Sequence, residues 1–285
     1  MALSKRLQSN HPVDAKPVSH TNGVTAPTVA ALNGHVKRVR KRPLASPAQK
    51  VVREKVEPPL PQVQTKGSWE IPRKTLHYSI GFGVLYLYTH GGDPVTIYRW
   101  LTAFFVIVVG ADLLRFSYRP FNRLYVRLLG PLMRNHEVEA KFNGVAYYLA
   151  GCIIALVLFS KDIASLSIIY LSWCDPTASI CGRLWGQYTP KYNNKSLAGS
   201  LGAAVVGMLV TYGFYGYMIA HDYDHPSWSP QARAPLGLVA LYGGTVAAFA
   251  EAIDLFGWDD NLTIPVLSAV LMWMALVLGG LGLVA

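Results

Sequence analysis

Residues 262–284 read LTIPVLSAVLMWMALVLGGLGLV, a run without one charged side chain. That length matches the roughly 20 residues a helix needs to cross the hydrocarbon core of a bilayer. Working outward from it, further apolar runs fall at 71–89, 94–111, 143–160, 163–181, 197–219 and 234–254, separated by short polar breaks. The pattern predicts an all-α, polytopic membrane protein of about seven transmembrane helices. The fourth run contains Asp175-Pro176, which predicts a broken helix because proline has no N–H to donate to the preceding turn. Composition agrees: 52% hydrophobic and only 15% charged residues argue against a soluble enzyme of 285 residues.

The charge is uneven. Residues 1–66 hold 12 Lys and Arg against 3 Asp and Glu, 8 of the 18 prolines and no aromatic residue. Such a segment cannot bury enough apolar surface to offset chain entropy, so it is expected to be a disordered, basic, cytosolic tail ahead of a membrane domain at 67–285. Its cluster Lys37-Arg38-Val39-Arg40-Lys41-Arg42 reads as solvated charge, an anionic-lipid contact or a nuclear-import signal. No apolar run opens the tail, so the first membrane segment is expected to direct insertion. Cys152, Cys174 and Cys181 lie in apolar stretches and make neither a disulfide framework nor a CxxC metal site.

Orientation follows from the loop cations, which concentrate on the cytosolic side. With the tail inside, 11 body cations (Arg73, Lys74, Arg115, Arg119, Arg123, Arg127, Arg134, Lys141, Arg183, Lys191 and Lys195) are cytosolic and 3 (Arg99, Lys161 and Arg233) are not. Ala285 is then lumenal. Between the second and third runs, Phe121, Leu124, Tyr125, Leu128 and Leu132 recur at helical spacing opposite Arg119, Arg123 and Arg127. This predicts a helix lying on the membrane or covering the bundle end.

Ionisable residues at membrane edges are costly and mark functional sites. On this topology they gather at the cytosolic ends: Arg73, Lys74 and His77 start the first run, Asp112 and Arg115 end the second, and Asp175 sits late in the fourth. Lys195 precedes the fifth, while Glu251 and Asp254, at i and i+3, end the sixth before Asp259-Asp260-Asn261. Fixed cations beside carboxylates suit a nucleoside triphosphate and a bridging divalent metal such as Mg²⁺ or Ca²⁺. Arg73, Lys74 and Lys195 would hold phosphates; Asp175 would bind metal or orient a lipid hydroxyl, with Glu251, Asp254 and Asp260 as further metal ligands. His77 is a proton acceptor or an ordering group. Asp112 and Arg115 read equally as an ion pair at a helix end. The small residues Ala178, Gly182 and Gly186, and Gly199, Ala203 and Gly207, predict close helix packing, and Lys195-Ser196-Leu197-Ala198-Gly199-Ser200 places a cation and two hydroxyls at a helix start, where phosphate is favoured.

In order and spacing, Arg73-Lys74-x-x-His77, Ala111-Asp112-x-x-Arg115, Gly130 to Glu137, Asn143-Gly144, Cys174-Asp175 to Gly186, Lys195-Ser196-x-x-Gly199-Ser200 and Ala250-Glu251 to Pro265 resemble the CTP-dependent lipid kinases, nearest to the fungal CTP-dependent diacylglycerol kinases. Dolichol and phytol kinases and phosphatidate cytidylyltransferases are more distant relatives. The resemblance implies an enzyme of the endoplasmic reticulum membrane and nuclear envelope that moves the γ-phosphate of CTP to diacylglycerol. It implies that Arg73, Lys74, Asp175 and Gly182 are required, and it brings Arg134, Asn143, Gly186, Ser196, Gly199 and Ser200 into the expected nucleotide site. The chain departs from the dolichol and phytol kinase pattern at Ala198, where those relatives carry a carboxylate, and His90-Gly91-Gly92-Asp93 reads as a turn. A polyprenol acceptor, a cytidylyltransferase reaction, a transporter and a scaffold acting through the tail are the competing readings. No nucleic-acid partner is expected.

Overall fold

The computed structural model describes residues 63, 68–138, 141–192, 195–218, 226–255 and 257–284. The expected disordered tail, with its basic cluster, lies outside the described residues apart from Val63. Among the described residues the fold is helical: α1 Ile71–Thr89, α2 Pro94–Ser117, α3 Arg119–Leu129, α4 Gly144–Leu158, α5 Lys161–Ile169, α6 Asp175–Trp185, α7 Leu197–Gly213, α8 Leu236–Ala252 and α9 Asp260–Trp273. The only sheet among them is the short hairpin of β1 Lys191–Tyr192 and β2 Lys195–Ser196.

The chain shuttles between two ends of a bundle. At one end, Lys195 of β2, just ahead of α7, meets Glu251 at the end of α8 and Asp260 at the start of α9. At the other, Lys161 opening α5 lies 5.0 Å over the ring of Tyr88 near the end of α1. There Asp162 accepts hydrogen bonds from Ser227 N at 2.8 Å and Tyr215 Oη at 3.1 Å. The core between them is built on α5 through Ile163, Leu166 and Ile169, packed with Ala203, Ala247, Ala269 and Met272 from α7, α8 and α9. Small residues set this close packing. A Cβ on Gly207 would stand 2.6 Å from Ala247 Cβ, and one on Gly199 would stand 2.9 Å from Ala178 O.

The fourth apolar run is not broken. Residues Tyr170–Cys174 form a π turn that leads directly into α6, with Pro176 in its first turn. The wider turn carries the chain past the proline, which sits in the first turn of α6, so the helix changes register instead of stopping. Helix α2 runs past the expected limit at 111 to Ser117, which puts Asp112 and Arg115 inside it. Helix α9 starts earlier than expected because Asp259 Oδ1 caps it by accepting from Asn261 N at 2.9 Å.

The predicted amphipathic segment is α3. Tyr125 and Val126 pack with Met133 and Val138, while Leu124 and Leu128 point outward. The outer surface elsewhere is also apolar: Phe104, Ile107, Leu158, Leu209, Leu241 and Leu278 are all exposed. Three helices, Pro94–Ser117, Leu197–Tyr217 and Asp260–Leu278, are long and apolar enough to cross a membrane. An apolar outer surface of this kind fits a protein whose helices face lipid.

Candidate active site

Helix α1 opens with Pro72 in its first turn, and the residues that follow are charged yet buried: Arg73, Lys74 and His77 are 8%, 9% and 6% exposed. A buried cation is unfavourable without an anionic partner. Arg73 Nη1 is 3.3 Å from Glu70 Oε2, but its Nη2 has no hydrogen-bond partner. Lys74 Nζ donates to Trp69 O at 2.8 Å. His77, one turn beyond Arg73, sets its ring edge-on to Tyr148 at 5.4 Å between centroids. Its Nδ1 stands 3.8 Å from Asp175 Oδ2 and makes no hydrogen bond. Asp175 is delivered by the π turn at the head of α6.

These side chains line one cavity of about 610 Å³, a size typical of small-ligand sites. Its walls carry six basic groups, Arg73, Lys74, Arg134, Arg183, Lys191 and Lys195, and four acidic ones, Glu70, Asp175, Glu251 and Asp260. Lys195 Nζ donates to Glu251 Oε1 at 2.9 Å and Asp260 Oδ2 at 3.0 Å. Burial pulls the Lys195 pKa down, but Asp260 and Glu251 outweigh it and hold the ammonium above the usual lysine range. Arg134 reaches the cavity from the loop before α4 and lies 3.7 Å from Asp259 Oδ2.

Gly182 and Ser196 line the same cavity. A Cβ on Gly182 would lie 3.0 Å from Ser196 Oγ, which in turn accepts from Gly199 N at 3.2 Å and caps α7. Glycine therefore keeps open the corner where the first turn of α7 faces the cavity. Glu70 has φ 50°, the left-handed region, a strain of about 1–3 kcal/mol for a residue with a Cβ. Its carboxylate bridges Arg73 and Arg183.

Several expected site residues are placed elsewhere. Asp112 and Arg115, 0% and 1% exposed, do not line the cavity. Arg115 Nε donates to Asp112 Oδ1 at 2.6 Å, its Nη1 donates to Glu137 O at 2.9 Å, and its Nη2 donates to Lys141 O. Asp112 Oδ2 accepts from Asn143 N at 2.7 Å, and Asn143 caps α4 through Val145 N at 3.0 Å. The three tie α2 to the loop that carries Arg134. Gly186 packs against Ser196, and Ser200 Oγ bonds Ser196 O at 3.5 Å; neither faces the cavity. Asp254 does not share a helix face with Glu251, because α8 stops at Ala252. Its Oδ1 instead accepts from Gly257 N at 3.1 Å.

Sequence reading passed over Glu70, Arg183, Lys191 and Ser179 as site residues; the two cations counted only as loop charge. Among the described residues there is no group of three or more His, Cys, Asp or Glu side chains poised around a metal position. The expected set of four carboxylates is thus divided: Lys195 neutralises Glu251 and Asp260, and Asp254 is used in its own loop. One acceptor stays free, since Glu251 Oε2 is buried with no hydrogen-bond partner. A divalent ion carried in on phosphate oxygens needs only one or two carboxylates, and Asp175 with Glu251 fits that requirement.

The chain is similar to curated fungal proteins. It is 46% identical over 210 residues to CTP-dependent diacylglycerol kinase 1 of Saccharomyces cerevisiae, covering 71% of this chain and 72% of the relative. It is 45% identical over 221 residues to CTP-dependent diacylglycerol kinase 1 of Schizosaccharomyces pombe, covering 74% of this chain and 99% of the relative. A probable chloroplastic phytol kinase 3 of Glycine max is 27% identical over 204 residues, covering 70% of this chain and 61% of the relative. No family model matches the chain, and no solved structure does.

Proposed function

The chain belongs to the CTP-dependent diacylglycerol kinase family, and from that membership and the cavity we propose that it transfers the γ-phosphate of CTP to the free hydroxyl of diacylglycerol, releasing CDP and phosphatidate. The observation that carries the reading is Arg73 Nη2, a buried guanidinium nitrogen without a partner in a cavity lined by six basic side chains. It awaits a polyanion. Arg73, Lys74, Lys191 and Lys195 hold the phosphate oxygens; Arg134 and Arg183 close the ring of charge.

The lipid half of the reaction rests further along the same face of α1. An apolar cavity of about 310 Å³ is lined by Ile80, Val84, Leu87 and Tyr88 of α1, with Tyr148 and Cys152 of α4. Tyr148 there touches His77 of the polar cavity. Arg73, His77, Ile80, Val84 and Leu87 follow the three-and-four spacing of one helix face. One face of α1 therefore passes from charge to hydrocarbon within a few turns, as an amphiphile does. The glycerol hydroxyl sits at that junction, between His77 and Asp175, with the acyl chains along Ile80 to Tyr88.

The hydroxyl oxygen attacks the γ-phosphorus and forms the new P–O bond. The bond from that phosphorus to the β–γ bridging oxygen breaks, and CDP leaves with the electron pair. Asp175 orients the hydroxyl and His77 Nδ1 takes its proton. Mg²⁺ or Ca²⁺, when bound at Asp175 and Glu251 Oε2, supplies neutralisation of phosphate charge.

We read the seven passes α1, α2, α4, α5–α6, α7, α8 and α9 as transmembrane helices of the endoplasmic reticulum and nuclear envelope. The tail and the cavity are then cytosolic, supported by the 11 to 3 division of body cations. A cavity gathered at one end of the bundle favours an enzyme over a transporter, whose site belongs near the midplane. Product analysis with purified protein, CTP, Mg²⁺ or Ca²⁺ and a panel of lipid alcohols tests the reading. CDP with phosphatidate supports it, pyrophosphate with CDP-lipid marks a cytidylyltransferase, and preference for a polyprenol moves the acceptor.

A further inference from the structure

A second cavity of about 760 Å³ adjoins the first, and Arg134, Lys195 and Asp260 line both. Its character differs. Beyond the shared charged groups it is lined by four aromatic residues, Phe142, Tyr147, Tyr192 and Trp258, and by Lys141, Asp254, Asp259 and Glu137; Asp254 and Asp259 are engaged by Gly257 N and Arg134, which leaves Glu137 as the carboxylate with an unpartnered oxygen. Glu137 is 3% exposed, and its Oε2 has no hydrogen-bond partner. Its Oε1 packs against Gly144 at the start of α4. A buried carboxyl oxygen left without a partner is costly.

A nucleoside triphosphate is a two-part ligand: a polyanionic tail, and a flat base whose faces stack and whose edge hydrogen-bonds. The basic cavity matches the first part alone. The aromatic cavity matches the second, because base faces stack on aromatic rings. The shared wall is also chemically right for the joint, since Arg134 and Lys195 are cations at the point where the tail must cross from one chamber to the other. The edge distinguishes the base. Cytosine presents an N4 amino donor where uracil presents an O4 acceptor, and a carboxylate is the side chain that accepts from N4.

We propose that this second cavity is the nucleoside subsite, with the cytosine ring among Tyr147, Tyr192 and Trp258 and its N4 amine donating to Glu137 Oε2. The inference rests on reading the first cavity as the phosphoryl-transfer site. Glu137 is then the residue that selects CTP, and the Asp112–Arg115 pair, by holding the Glu137 carbonyl, is a positioning device for base recognition.

The test uses the purified full chain in lipid nanodiscs, with initial rates for CTP and UTP. Glu137→Gln is expected to lower kcat/KM for CTP at least tenfold through KM and to shrink the CTP over UTP preference by a similar factor, because an amide both donates and accepts. Tyr192→Ala, on the exposed hairpin and away from the folded core, is expected to raise KM for CTP about fivefold with kcat and the lipid KM unchanged. A binding readout is independent of turnover: in Tyr192→Cys, cytidine is expected to slow maleimide labelling whereas inorganic tripolyphosphate is not. Unchanged nucleotide preference in Glu137→Gln together with no protection by cytidine overturns the subsite while leaving the kinase reading intact. Absence of CTP turnover in the unmodified chain overturns the kinase reading, and cytidine protection then still decides the subsite.

Discussion

His77 Nδ1 faces Asp175 Oδ2 across 3.8 Å, too far for a hydrogen bond, although both side chains are largely buried. A structural ion pair would close that gap. Left open on the cavity wall, it leaves room for a substrate hydroxyl that donates its one proton to His77 Nδ1 with the Asp175 carboxylate beside it, and it joins α1 to α6 at the one place where the latter's ladder changes register.

Asp175→Asn keeps the side-chain shape and removes the charge. Losing a positioned group at the reacting oxygen costs about 10²–10⁴ in rate, so kcat is expected to fall at least 10²-fold while the thermal midpoint holds. Initial rates and a melting curve on the same sample check this. A parallel loss of both would place Asp175 in the framework instead.

Arg73→Ala removes a guanidinium whose Nη2 has no partner within the protein. A hydrogen bond to a charged group is worth about 1.5–3 kcal/mol, so KM for CTP is expected to rise roughly ten- to a hundredfold, with little change in KM for the lipid. Arg73→Lys restores charge without the fork and is expected to recover only part of the loss.

Lys195→Ala leaves Glu251 and Asp260 facing each other without their shared cation. Breaking such a pair from one side costs about 3–5 kcal/mol when it is fully buried. Lys195 keeps some solvent contact, so about 1–3 kcal/mol is expected after allowing for screening. Glu251→Gln added to Lys195→Ala is expected to regain stability in a melting experiment but not activity.

Gly182→Ala places a methyl 3.0 Å from Ser196 Oγ. The hydroxyl must move, and the cap on α7 goes with it, so activity is expected to drop more than stability. Pairing it with Ser196→Ala removes the obstructing oxygen and is expected to return part of the activity; a double variant worse than the single would refute the steric account.

Asp112→Ala strands Arg115 at 1% exposure. Here the expected effect is on folding, about 3–5 kcal/mol, read as a lower melting temperature and a lower yield from the membrane.

Much of the helical frame was legible in the chain because its apolar runs are bounded by strong punctuation. Pro72 and Gly91 bracket α1, and Asp93 accepts from Val95 N at 3.2 Å and Thr96 N at 2.9 Å to start α2. What was not legible depended on carbonyls and on the third dimension. The roles of Asp112 and Arg115 turn on the backbone oxygens of Glu137 and Lys141, distant in sequence. Asp175-Pro176 signals a break by local rules, yet a π turn carries the helix past the proline. Arg183 and Lys191 resemble ordinary loop cations until α6 and the hairpin fold them over α1. Asp254 is three residues from Glu251, but helical spacing is meaningful only while the helix lasts.

The central claim is that one cavity, framed by Arg73, Asp175 and Lys195, passes the terminal phosphate of CTP to a lipid hydroxyl. Its most direct test is transfer of γ-labelled phosphate from CTP to diacylglycerol by purified protein, run beside Asp175→Asn. The predicted result is label in phosphatidate, one CDP formed per lipid phosphorylated, and loss of both in the variant. Label recovered only as pyrophosphate, or equal transfer by the two proteins, would contradict it.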